Sequence, residues 1–298
     1  MSEKKLAAII LAVGISLALL WHPISHFFRP YLLPALFCVV TFSLLPTAQK
    51  LSVSFFLIRK ESLKLVVWQQ LVLPAVILVL GPAIGLNKDL VFYALITVTA
   101  GSLFASPALA QMLDLNRHQA IQSVILSTLL MPISIFIFFG VYHGEFVDLD
   151  LKIFAMNVGM FIVLPIAIMF AYKVLTSGLT ENANHNLDFF SRWASILSLL
   201  VFGFAIIDPA AKTLETDPER VFLYLLYSLG ITTVILSFTF LIMIKSSRRF
   251  IVTSALLGGF RNIGLSYGLL SQMVHGDLAI YVGIAQVPVF LVPLLLFI

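Results

Sequence analysis

Charge is what this sequence has least of. Only 11% of its residues are Asp, Glu, Lys or Arg, where a soluble globular chain carries about 25%. Cysteine is limited to Cys38, which excludes an internal disulfide. None of the fourteen acidic residues falls inside an apolar span; Asp208, Glu219 and Asp277 sit at span ends. The six histidines, His22, His26, His118, His143, His185 and His275, fall at span ends or in loops. The sequence therefore shows no metal cluster and no buried proton carrier. A membrane enzyme would need carboxylates, histidines or a metal set within its spans, so no enzymatic activity is expected. Nor is a nucleic-acid partner, because the residues behind the formal charge of +4 lie mostly between spans.

Apolar residues fill the space that charge leaves. They make up 60% of the chain, and the mean hydropathy is +1.06. An α-helical span needs roughly 20 apolar residues. The pattern predicts an all-α integral membrane protein with ten transmembrane helices, over 6–21, 31–47, 63–84, 90–113, 118–142, 151–172, 190–208, 219–243, 249–273 and 277–298. These spans and their short loops occupy residues 1–298 as one transmembrane domain in contact with the lipid bilayer. Residues 1–21 have the basic, then apolar, order of a signal peptide. They lead into Trp21-His22-Pro23 rather than a small-residue cleavage site, and are read as the first span. Residues 51–64 alternate Phe55, Phe56, Leu57 and Ile58 with Arg59, Lys60 and Lys64, the pattern of a helix lying in the interface. A polar connector, 173–189, precedes the seventh span.

Lys and Arg in short loops set orientation. With the N-terminus inside, the inner face holds Lys4, Lys5, Lys50, Arg59, Lys60, Lys64, Arg117, Lys173, Arg192, Lys245, Arg248 and Arg249, twelve in all. The outer face holds five: Arg29, Lys88, Lys152, Lys212 and Arg220. This predicts a multi-pass protein with both termini cytoplasmic. The lean loops and short termini point to a bacterial inner membrane.

Two spans are interrupted. Span four contains Ala100-Gly101-Ser102 and Ala105-Ser106-Pro107; span nine contains Gly258-Gly259 and Arg261-Asn262. Ser106 before Pro107 reads as an N-cap ahead of proline at the first helical position. Asn262 reads as the cap of a second half-helix, 263–273. Each half-helix start carries about half a positive elementary charge. With the guanidinium of Arg261 beside them, the two starts form an anion-attracting centre. Breaks of this kind are tolerated in lipid only where they are buried in protein or line a cavity. Their corresponding places in two five-span halves predict an inverted repeat with a midplane site.

Three stretches resemble the bile acid:sodium symporter family. FFLIRKESLKLVVWQQLVLP (55–74) is similar to its basic connector and third helix, with Gln69 five residues before Pro74. AGSLFASPALAQMLDLNRHQAIQSVILSTLLMP (100–132) is similar to its first crossing helix and fifth helix. ALLGGFRNIGLSYGLL (255–270) is similar to its second crossing helix, with the Gly-x-x-Asn-x-Gly-Leu core. The resemblance implies ten helices in two inverted five-helix repeats. Panel helices, about 6–47 and 151–208, would rock against core helices, about 63–142 and 219–298. It also implies a small or amphipathic organic anion as substrate, moved by alternating access without a cofactor.

The departures concern sodium. Of the sodium ligands the resemblance implies, a Glu falls on Leu257, a Gln on Arg261 and an Asn on Pro107; Gln69 and Thr128 remain. A sodium site usually includes a carboxylate, so sodium fits poorly, and Arg261 is expected to stand in as a fixed cation.

The candidate substrate residues are Arg261, Asn262, Ser106, Pro107, Gly259, Asn157 and Ser266. The candidate ion or site-lining residues are Gln69, Ser123, Ser127 and Thr128. Each has an alternative reading. Arg261 either binds the anion, ties down carbonyls of the broken helices, or does both. Gly258 and Gly259 serve packing or a hinge. Gln69 and the hydroxyls of span five either line the site or join helices. Two other functions remain open: an efflux carrier of the auxin or arsenite type, and a sensor that kept the fold and lost transport. The chain is expected to be a monomer or homodimer.

Asp114 is the carboxylate nearest a crossing helix. It is either a solvated helix end or, if protons couple transport, the switch. In the second case Asp114→Asn flattens the pH dependence of uptake into proteoliposomes; an unchanged profile removes Asp114 from the mechanism.

Overall fold

A computed structural model describes residues 3–48, 59–104, 106–107, 110, 115–142, 147–178, 181–273 and 277–295. Among them the secondary structure is helical, and no strand forms. Fourteen α-helices follow in order: α1 Glu3–Leu20, α2 His22–Phe28, α3 Leu32–Ala48, α4 Lys60–Val67, α5 Leu73–Ala83, α6 Lys88–Thr99, α7 Arg117–Phe139, α8 Leu151–Val158, α9 Leu164–Thr176, α10 Glu181–Thr216, α11 Pro218–Met243, α12 Arg248–Gly259, α13 Ile263–Leu270 and α14 Leu278–Leu295.

Six helices are long and apolar enough to cross a membrane: His22–Pro46, Lys60–Ala83, Arg117–Tyr142, Leu151–Thr176, Asn186–Thr216 and Pro218–Met243. Ten were expected from the apolar pattern. Of the other four, 90–113 and 249–273 are each cut in two, α6 ending at Thr99 and α12 at Gly259. The first and last appear as the shorter apolar helices Ile9–Leu20 and Leu278–Leu291. The polar connector 173–189 is largely helical instead, because α9 runs to Thr176 and α10 begins at Glu181. Residues 181–189 contain neither glycine nor proline to stop a helix. Of the interfacial segment, 51–58 lie outside the described residues, as do Asp114, His143 and His275. Lys60–Lys64 continue into the following span.

Two spans carry a π-helical turn, Trp68–Val72 and Gly159–Val163. Pro74 and Pro165 lie six residues after the first residue of each turn. A proline donates no N–H, and its ring opposes the carbonyl four residues back. Widening the preceding turn relieves that clash while the helix continues.

The chain divides into two compact units. The first comprises Met1–Leu51, Ala155–Leu225 and Ala279–Ile298. Its longest element is α10, 36 residues, against which α1, α2 and α3 pack. Gly203 in α10 lies under Phe290 of α14, and Gly283 of α14 lies on α10. The last helix thus belongs with this unit, whereas the sequence grouped 219–298 with the core helices. Asp208 corrects a second expectation. It sits inside α10 and is 0% exposed, rather than at a span end, and His22, His26 and Arg29 turn towards it.

The second unit comprises Ser52–Phe154 and Leu226–Leu278. Leu65, Ala120, Val124, Met243, Phe250 and Leu257 belong to its apolar core, with Trp68 and Phe104 packed against them. Helix α6 is capped by Asn87, whose side chain accepts from the Leu90 N–H at 2.8 Å. From Val91 to Thr99 every residue of α6 is buried. A helix apolar on all sides belongs inside protein.

Gly283 brings α14 against the main chain of α10. A Cβ there would lie 2.8 Å from the Ile206 carbonyl oxygen, and a main-chain atom inside a helix moves only at a cost. Gly283→Ala is expected to destabilise by about 1–3 kcal/mol. Gly230→Ala, whose Cβ would meet nothing within 4 Å, is expected to leave stability equal or slightly raised. Thermal unfolding in detergent compares the two.

Candidate functional site: a crossing of two broken helices

Residues Ala100–Leu103 and Phe260–Asn262 have left their helices and run antiparallel within the second unit. Ser102 and Arg261 form an isolated antiparallel bridge. The Leu103 N–H donates to the Phe260 carbonyl at 3.0 Å, and the Asn262 N–H donates to the Gly101 carbonyl at 2.7 Å. Each break frees backbone groups that have no water to meet. Here each break satisfies part of the other.

Neighbouring helices take up the rest. The Ser102 N–H donates to Ser127 Oγ of α7 at 2.9 Å. The Gly101 N–H approaches Met131 Sδ at 3.2 Å. The Ala100 carbonyl accepts from Gln70 Nε2 at 3.0 Å. The Gln70 carbonyl is the one that Pro74 leaves without its helical donor, and it accepts from Ser134 Oγ at 2.6 Å. Gln69 and Gln70 both lie in the π turn and are wholly buried.

Arg261 stands at the centre and is 1% exposed. Its Nη1 donates to Gln69 Oε1 at 2.9 Å, and Nη2 donates to the Val98 carbonyl at 2.5 Å. Val98 lies in the last turn of α6, where carbonyls lack intrahelical donors and the helix dipole is negative. A cation there is favourable on both counts. Among the described residues no ion pair joins Arg261 to a carboxylate, so its charge there is balanced by dipoles.

Several buried polar atoms of this unit have no partner: Arg261 Nε, Gln69 Nε2, Gln70 Oε1, Ser106 Oγ, Ser123 Oγ and Thr128 Oγ1. Arg261 Nε and Gln69 Nε2 only donate, and the hydroxyls donate as readily as they accept. Gln119 Oε1, unpartnered in the same unit, only accepts, so both donors and acceptors are left open.

The structure thus gathers Arg261, Asn262, Gln69 and Ser127 at the crossing. Asn262 caps α13 as expected, accepting from the Leu265 N–H at 3.3 Å. Gly259 packs under Leu236, and Gly258 would meet Thr239 with any Cβ, so both serve close packing against α11. Thr128 lies against Gly101. Ser266 Oγ is 3.5 Å from Met131 Sδ. Ser123 is buried one turn from Ser127. Ser106 does not cap: it and Pro107 are already helical, and its hydroxyl bonds to nothing. Asn157 belongs to the first unit, buried in α8. Sequence reasoning passed over Ser102, Gln70 and Met131. Gln70 adjoins Gln69, and Ser102 stands in the same Ala-Gly-Ser break, so both signals were present.

Compared with known proteins, the chain matches no family model and no curated sequence.

Ser127 and Ser123 separate a needed hydroxyl from an idle one. Ser127→Ala strands the buried Ser102 N–H and is expected to cost about 1–3 kcal/mol. Ser123→Ala removes an unpartnered hydroxyl and is expected to be neutral or slightly stabilising. Unfolding midpoints of the two variants in one detergent give the comparison.

Proposed function

We propose that this chain is a secondary transporter of a small or amphipathic organic anion, working by alternating access. The reading includes the ten-pass, two-fold inverted architecture of the bile acid:sodium symporter family, with both termini inside a bacterial inner membrane. One observation carries it: a wholly buried guanidinium, paired with no carboxylate among the described residues, at the crossing of two broken helices. An uncompensated cation in an apolar protein is costly and draws an anion.

The same arrangement accounts for the missing sodium ligands. Gln69, which the resemblance makes a sodium ligand, gives its oxygen to Arg261. The carbonyl of Val98 is taken likewise. A guanidinium supplies these oxygens with a permanent positive charge, as a bound cation does while it is bound. Transport is then independent of a sodium gradient. Arg261 Nε and Gln69 Nε2, both unpartnered, are the donors available to the carboxylate or sulfonate of the substrate.

Thermal unfolding in sodium chloride against choline chloride, at equal ionic strength, tests this. A ligand that binds only the folded state stabilises by about 2.7 kcal/mol at a hundredfold excess over Kd. The wild type is expected to ignore sodium, and Arg261→Gln to gain a sodium-specific stabilisation. A wild type stabilised by sodium and not by choline would overturn the fixed-cation reading. Counterflow of a carboxylate and sulfonate panel in proteoliposomes tests transport itself, and is expected without any sodium gradient.

A further inference from the structure

A second polar cluster lies in the first unit, remote in sequence from the crossing, and the proposed transport mechanism makes no use of it. His22 and His26 are four residues apart on α2 and so share one face. Asp208 meets them from α10. His22 Nε2 is 3.1 Å from Asp208 Oδ1, and His26 Nδ1 is 3.5 Å from the same oxygen. The three ligand atoms all lie within 4.8 Å of one another.

An ordinary ion-pair cluster would fill these distances with hydrogen bonds, and here it does not. His22 Nε2 and Asp208 Oδ1 are both buried without a hydrogen-bond partner. The two atoms are close, but neither is directed correctly at the other. Both atoms are therefore open to a shared third body. In a tetrahedral site with bonds of about 2.0–2.1 Å, adjacent ligand atoms stand roughly 3.3–3.4 Å apart. The observed 3.1 and 3.5 Å bracket that edge.

The surrounding groups suit such a centre. The other carboxylate oxygen, Oδ2, accepts from Arg29 Nη1 at 2.8 Å. That bond orients Asp208 and leaves Oδ1 as a monodentate ligand. The Nδ1 of His22 faces Glu215 Oε2 at 3.8 Å. His26 has a side chain 69% exposed, which opens a path for an ion and room for water as a further ligand.

We propose that His22 Nε2, His26 Nδ1 and Asp208 Oδ1 form a binding site for one first-row divalent transition metal, with Zn2+ the best match. Two imidazoles and one carboxylate select zinc, copper or nickel over magnesium and calcium. Bound there, the ion ties α2 to α10. Arg29 keeps the carboxylate in place and, as a nearby cation, moderates the affinity.

Tag-free full-length protein in detergent is titrated with ZnCl2 against a chromophoric chelator, and its thermal unfolding is followed with ZnCl2 or MgCl2. The expected result is one zinc per chain and a midpoint raised by zinc but not by magnesium. His26→Ala alters an exposed side chain and is expected to leave the fold intact while weakening zinc binding at least tenfold. His22→Gln is expected to do the same. The proposal is overturned if the wild type binds no zinc. It is equally overturned if His26→Ala and His22→Gln bind zinc as the wild type does, because the ion then sits elsewhere.

Discussion

Every part of the second unit is arranged around one requirement: backbone groups that leave a helix inside an apolar protein must find partners there. At Ala100–Leu103 and Phe260–Asn262 the two breaks meet and exchange backbone hydrogen bonds. Either break by itself would strand N–H and carbonyl groups at a cost of several kcal/mol each. Placed together, they become a two-residue fragment of antiparallel sheet in an otherwise helical protein. Ser127, Gln70 and Met131 then close the groups that this exchange leaves over.

The second consequence concerns charge. Arg261 comes to the crossing because its backbone is half of the bridge. Its guanidinium then reaches the last turn of α6 and the π turn that carries Gln69. Hydrogen bonds satisfy two of its nitrogens and leave Nε open. No carboxylate neutralises it among the described residues. The local field is therefore positive, and the proposed anion specificity follows from that field rather than from any one contact.

Proline and glycine shape the helices that hold this centre. Pro74 frees the Gln70 carbonyl, and Ser134 takes it; the widened turn brings both glutamines inward. Gly258 and Gly259 let α12 approach α11, where a side chain would collide with Thr239 or Leu236. In the first unit Gly283 and Gly203 allow α14 to lie on α10 in the same way. Contact between helices in an apolar setting relies on such close packing.

Much of this was legible in the sequence. Apolar runs and scarce charge determined that the chain is helical, and four of the six helices long enough to cross a membrane were placed within a few residues, while His22–Pro46 begins nine residues earlier and Asn186–Thr216 ends eight residues later than expected. Glycine pairs, Ser-Pro and an arginine inside an apolar run marked both breaks, because backbone chemistry is local and each of those residues acts on its own helix. The Asn262 cap was read for the same reason, while the Ser106 cap was not borne out because Ser106 is itself helical and its hydroxyl has no partner. Only the tertiary structure decided the partners. Gln69 and Arg261 are 192 residues apart, and Arg29 and Asp208 are 179 apart. Nothing in the pattern of a single helix states which residue of another will face it. Asp208 looked like a span end until α10 proved to extend past it, and His22 and His26 looked scattered until α2 turned both towards that carboxylate. Hydropathy and backbone preference are properties of short stretches, whereas ion pairs and ligand sets are properties of packing.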